Sequence, residues 1–231
     1  MRKTVRNGLI AVALLPASLA QAHEAGDLIL RAGAAMVDPH DSSGDVRVGS
    51  TKLDNWKVSV DSDTQLGLTA SYMLSQHWGI GVLAATPFKH DINGAGALGG
   101  AGKLAETKHL PPTVTLQYFP LDPGMTIQPY GGIGVNYTHF FDEKTTDTLT
   151  NALGAASTDI KLDDSVGLAA ELGADVMLTD RLLLNAAVWY ADIDTTATIK
   201  AYDGAGNKVA TGKVDVDIDP FVYMIGVGYR F

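Results

Sequence analysis

The chain has 231 residues, enough for one domain, and contains no cysteine, so thiol catalysis, cysteine metal sites and disulfides are excluded. Its formal net charge is −9. An acidic chain repels phosphates, so nucleic acid is not an expected partner.

The first residues, MRKTVRNGLIAVALLPASLAQAH, combine three elements. Arg2, Lys3 and Arg6 form a positive start, Leu9 to Leu15 a short apolar core, and Ala20-Gln21-Ala22 an A-x-A cleavage site. This predicts an export signal peptide over 1–22, leaving a mature chain over 23–231 that begins at His23. No later stretch offers about 18 uncharged apolar residues, so no transmembrane helix is expected.

Instead, alternation of period two recurs along the mature chain. The first run places Leu28, Leu30, Ala32, Ala34 and Met36 on one face, and the second Leu66, Leu68, Ala70 and Tyr72. Then come Ile80, Val82 and Ala84; Leu110, Val114, Leu116 and Tyr118; and Ile133, Val135 and Tyr137. Leu168, Ala170, Leu172 and Val176 make the sixth run, and Leu182, Leu184, Ala186, Val188 and Tyr190 the seventh. The eighth is the C-terminal stretch up to Phe231. The opposite faces carry small or polar residues such as Gly33, Thr69, Gln117, Asn136 and Glu171. Short connections near 75–77, 121–124 and 179–180 alternate with long ones near 38–57, 89–103, 142–158 and 201–210. The Gly-rich run GAGALGGAG at 94–102 reads as a loop, since no βαβ context follows it. Together these features predict an all-β fold, an eight-stranded antiparallel transmembrane barrel. Its expected location is the outer membrane of a Gram-negative bacterium.

The last run has a second property. Phe221, Tyr223, Ile225, Val227, Tyr229 and Phe231 share one face, but the same parity upstream reads Asp215, Asp217, Asp219. The other parity turns apolar there, with Val214, Val216 and Ile218. Strand seven repeats the switch, passing from Tyr190 to Asp192 and Asp194 outside while Ile193 and Ile199 face inward. The outer face leaves lipid for water after roughly 25 Å, so the barrel is expected to extend above the membrane around a hydrophobic lumen of Ile193, Ile199, Val214, Val216 and Ile218. Near the periplasmic end, Arg31, Arg230, Glu171 and Asp175 point inward, with Gln65 and Gln117 nearby. Buried charges must pair, which predicts a salt-bridged plug. The upper part of strand six, Ile160 to Asp164, fits the parity badly, so a bulge is expected there.

Long blocks of the chain resemble the OmpW family of small outer-membrane barrels, which includes OprG. They include DTQLGLTASYM at 63–73, LAATPFKH at 83–90, HLPPTVTLQY at 109–118, QPYGGIGVNYTHFFD at 128–142, WYADIDT at 189–195 and DPFVYMIGVGYRF at 219–231. The resemblance implies a narrow apolar channel for passive uptake of small hydrophobic molecules, with lateral exit into the membrane. The family's channel constriction falls on Leu83 and Trp189, both on the inward parity, and its proline beside the lateral opening falls on Pro87. A proline lacks an N–H and cannot complete a ladder at such a point.

The expected partners are outer-membrane lipid (lipopolysaccharide), small hydrophobic solutes and the barrel-assembly machinery, engaged by the aromatic strand ending in Phe231. No cofactor and no metal are expected, since the six histidines show no ligand spacing. No catalytic residue is assigned. His90, His109 and His139 have no evident serine partner, and no G-x-S-x-G occurs. The alternatives are a structural or receptor barrel acting through its extracellular loops, and a channel for small neutral amino acids.

Overall fold

The computed structural model describes residues 23–231, so the signal peptide expected over 1–22 lies outside the described residues. Eight strands form the membrane barrel. They are β1 (Leu28–Asp38), β2 (Asp63–Met73), β3 (Trp78–Ala85), β4 (Thr113–Tyr118), β5 (Ile127–Thr145), β6 (Ser165–Met177), β7 (Leu182–Ala191) and β8 (Phe221–Arg230). Each pairs antiparallel with its sequence neighbour, and β1 pairs with β8 from Ile29↔Arg230 to Asp38↔Phe221, which closes the sheet. Closure leaves no edge, the condition for a sheet to stand in lipid.

The outer face is apolar and bare. Ile225 is 74% exposed, Leu168 72% and Leu172 68%, values that only a lipid surround makes favourable. Aromatic residues ring both ends of this belt. Trp78 lies near Tyr118 (ring centroids 4.9 Å) and Tyr229 near Phe231 (4.7 Å) at the lower rim. Tyr190 lies 5.6 Å from Phe221 at the upper one. Such girdles mark the two membrane surfaces. Among the described residues no helix is long and apolar enough to span a membrane, so the crossing is made by strands.

Above the upper girdle the wall continues. Trp56–Val60, Phe88–Gly96, Lys103–Leu110 and the upper end of β5 form one half. Ser157–Leu162, Asp194–Tyr202, Lys208–Asp217 and short pieces of the 38–57 connection form the other. Much of the expected loop 89–103 is therefore strand, and the glycine run only turns its tip, with positive φ at Gly96 (58°) and Gly102 (71°). A six-residue helix, Asp147–Ala152, crosses the mouth; Thr146 caps it, and Leu149 points inward from it.

At the level of the upper girdle most strands break, at Thr86–Pro87, Pro111–Pro112, Asp163–Asp164 and Ile218–Pro220 among others, while β5 runs unbroken for 19 residues. The Asp163–Asp164 break resets the parity. Thr158 and Leu162 are buried below it in sequence, whereas Ser165 and Ala169 are buried above it. The expected bulge in strand six is thus a full interruption. The Asp164 carboxylate fills it, accepting from the Phe140 N–H (3.1 Å) and the Tyr137 hydroxyl (2.7 Å).

Candidate functional site

The lumen is built in layers. Its floor is apolar, with Ile29, Met73, Phe119, Tyr130, Met177 and Leu183 packed together. Over it lies a polar layer. Arg31 donates Nε to Asp175 Oδ1 (2.9 Å) and Nη1 to Ser71 Oγ (2.8 Å), and its guanidinium stands 5.3 Å from the Tyr130 ring. Asn185 Nδ2 donates to Asp175 Oδ1 (2.8 Å) and to the Tyr130 hydroxyl (3.0 Å). The His23 Nε2 lies 3.1 Å from Asp175 Oδ2, and its ring meets Phe119 edge-on at 4.8 Å. Arg31 and Asp175 are 2% and 0% exposed, so they satisfy each other out of water.

Two of the expected plug residues sit elsewhere. Glu171 accepts from Thr115 Oγ1 (2.6 Å) in the upper part of the polar layer. Arg230 pairs with Asp27 (3.3 Å) at the periplasmic rim, where both keep contact with water. The reason is register: Arg230 lies opposite Ile29, near the end of β1, and Arg31 lies opposite Gly228. Gln65 is also far from the plug, bonded to Asp63 (2.9 Å) and Thr86 (3.1 Å) at the upper surface.

The third layer is apolar again. Leu83 and Trp189 are buried (6% and 3% exposed) in one cluster with Ala35, Val37, Phe88, Val222 and Met224. Beside it the wall is incomplete. The β2–β3 ladder ends at Gly67↔Ala85 with one further main-chain bond, Thr86 N–H to the Leu66 carbonyl (3.0 Å), and main-chain bonding above resumes with Asp61 N–H to the Asp91 carbonyl (3.1 Å) beside Val60↔Ile92. On the other flank pairing stops at Leu83↔Thr113 and resumes at Phe88↔His109. Pro87 lies in both gaps. Side chains bridge the first gap, with Leu66 N–H donating to Thr86 Oγ1 (3.2 Å) and Lys89 N–H to Asp63 Oδ2 (2.8 Å).

Above this cluster the lumen holds an apolar chamber with a cavity volume of about 40 Å³. Ile199, Val214, Val216 and Ile218 line it, as does much of the opposite half, including Val58, Ile92, Leu104 and Phe140. Ile193 lines the space directly below, beside Leu83 and Trp189. A second apolar cavity toward the mouth shares Val58, Leu104, Leu149 and Ile199 with the first, so the two adjoin. Of this lining, the sequence expectation covers the part from strands seven and eight, Ile199, Val214, Val216 and Ile218. The missed half carries the same signal, since Phe88, His90 and Ile92 alternate inward.

His90 and His109 lie at the chamber floor, with ring centroids 4.7 Å apart and exposures of 2% each. Burial lowers the basicity of His90, and burial with the neighbouring His90 lowers that of His109 well below the usual histidine range. At the outer surface the carboxylates of Asp192, Asp194 and Asp219 converge within 4.8 Å. Asp219 accepts from the Ile193 N–H (3.2 Å).

A closed eight-stranded barrel with a lipid belt, a sealed floor and an apolar upper lumen defines the class, a small outer-membrane barrel. The model of the OmpW family matches residues 24–231, and the chain belongs to that family. It is 49% identical to outer membrane protein W of Vibrio cholerae serotype O1, over the whole of both chains. Its fold matches the crystal structure of OprG from Pseudomonas aeruginosa with a TM-score of 0.83 and 53% identity, covering 91% of this chain and 98% of that one. A more distant relative, 23% identical over 192 residues, covering 83% of this chain and 82% of the relative, is the dibenzothiophene metabolism operon protein DoxH of Pseudomonas sp. (strain C18). The protein is an outer-membrane barrel of a Gram-negative bacterium rather than an enzyme.

Proposed function

We propose that the protein is a channel for passive uptake of small hydrophobic molecules, which enter the chamber from outside and leave sideways into the membrane near Pro87. The observation that carries this reading is the pair of adjoining apolar cavities in a lumen that is closed lower down by a polar, salt-bridged layer. A dissolved apolar molecule gains roughly 25 cal/mol per Å² of surface it buries there. The charged layer below offers it nothing, so the exit of lowest cost is lateral. Leu83 and Trp189 then form the constriction, and Pro87 keeps the strand ladder open beside it. The name of DoxH, which ties that relative to the metabolism of a fused aromatic compound, supports the same substrate class. The lipid belt suits outer-membrane lipid, and Phe231 at the end of β8 suits recognition during barrel assembly.

The test is uptake of naphthalene, beside uptake of alanine, by cells with and without the protein. Faster entry of naphthalene alone is expected. Faster entry of alanine would mean that the polar floor passes water. No protein-dependent change in either would favour a structural or receptor role for the upper loops.

A further inference from the structure

The histidine pair in the chamber has no place in a purely greasy channel. His90 Nδ1 lies within hydrogen-bond distance of the Asp61 carbonyl oxygen. A carbonyl only accepts, so Nδ1 carries the hydrogen and Nε2 of the neutral ring holds a free lone pair. That Nε2 is buried and has no hydrogen-bond partner, and the same holds for Nε2 of His109. Burial keeps both rings uncharged, so the pair does not bind anions as imidazolium groups would. Both rings line the apolar chamber, and His109 also lines the space above Leu83 and Trp189. The Phe88 ring, next to Pro87, lies 5.6 Å from His109. A solute moving from chamber to wall therefore passes this pair.

We infer that His90, with His109 beside it, is a hydrogen-bond acceptor site that selects apolar solutes carrying one donor, such as phenols and alcohols, over solutes of the same shape without one. This rests on the channel reading above and adds a substrate preference to it. The physical reason is desolvation. Taking a hydroxyl out of water with no partner is costly, which would make the chamber a barrier to every alcohol. An acceptor with an unused lone pair offsets that cost at the chamber floor. A solute that only accepts hydrogen bonds gains nothing there, because Nε2 has no hydrogen to give.

The experiment compares 2-naphthol with 2-methoxynaphthalene, which share a ring system but only the first of which donates. Initial uptake is measured in cells lacking the protein and in cells carrying the native chain, His90→Leu or His90→Gln, with folding checked by the gel shift on heating. The native protein is expected to favour 2-naphthol by about fivefold, equivalent to about 1 kcal/mol. His90→Leu should abolish that preference while leaving 2-methoxynaphthalene uptake intact, and His90→Gln, whose amide can both donate to Asp61 and accept from the solute, should keep much of it. Equal uptake of the two solutes by the native protein, or equal preference in His90→Leu, overturns the inference while leaving the channel reading standing. If neither solute enters faster with the protein present, the channel reading fails and the inference with it. Should His90→Leu not fold, the purified native barrel labelled with ¹⁵N histidine decides the matter. The His90 ring signal must move with 2-naphthol and not with 2-methoxynaphthalene, and an equal response to both overturns the site.

Discussion

Arg31 and Asp175, 144 residues apart in sequence, meet across the barrel interior through two parallel hydrogen bonds, Nε to Oδ1 (2.9 Å) and Nη2 to Oδ2 (2.5 Å). They join β1 to β6, two strands that share no ladder. Removing one partner leaves the other charged in a dry layer. Asp175→Ala is therefore expected to destabilise the barrel by about 3–5 kcal/mol, while Arg31→Leu with Asp175→Leu together should recover much of the loss. Urea unfolding in lipid vesicles measures this. A double variant no more stable than Asp175→Ala would show that the pair does not act through buried charge.

Gly33 on β1 faces Gly226 on β8 and Gly67 on β2. A Cβ at Gly33 would run into the Ile225 carbonyl oxygen and the Gly226 Cα, both main-chain atoms that cannot rotate away. Gly33→Ala should thus cost about 1–3 kcal/mol and slow folding into vesicles, whereas Ala32→Gly on the lipid side should be milder. Equal effects for the two would remove the close-approach argument.

Much of this was legible in the sequence, for one physical reason. A strand between lipid and lumen must alternate with period two, so Phe221, Tyr223 and Ile225 announced the lipid face and Val214, Val216 and Ile218 the chamber. The plug was half legible, because parity shows that Arg31, Arg230, Glu171 and Asp175 face inward but not at what height. Register decides that, and it sends Arg230 to Asp27. The reset at Asp163–Asp164 hid the inward face of Thr158 and Leu162, since parity cannot be carried through a broken strand. His90 and His109 sit in charged surroundings, FKHDIN and ETKHLPP, which masked their inward positions.

The proposed constriction at Leu83 and Trp189 predicts a change in uptake. Leu83 on β3 shares one buried cluster with Trp189, Val222 and Val37, which lie side by side on the adjoining strands β7, β8 and β1. Leu83→Ala and Trp189→Ala should widen the route and speed entry of naphthalene severalfold, at a stability cost of about 2–5 kcal/mol each. Faster uptake from a less stable barrel is the signature, and it separates a gate from a packing residue. Slower or unchanged uptake in folded variants would move the limiting step away from these two residues.

The histidine pair also predicts a pH response in stability. His90 and His109 are held neutral by burial, with folded basicities below the unfolded value of about 6.5. Below that pH the unfolded chain takes up protons that the folded chain refuses, so acid favours unfolding. Their contribution is therefore complete above about pH 6.5 and is lost progressively as pH falls toward the folded values. The native barrel should be about equally stable at pH 7 and 8, apart from other groups, and weaken from pH 6.5 downward. His90→Gln combined with His109→Gln should flatten that decline, because an amide takes up no proton. Unfolding midpoints in urea from pH 8 to 5, native against the double variant, provide the comparison. An identical slope for the two proteins would place the acid sensitivity in other groups and mean that these rings accept protons as readily when folded as when exposed.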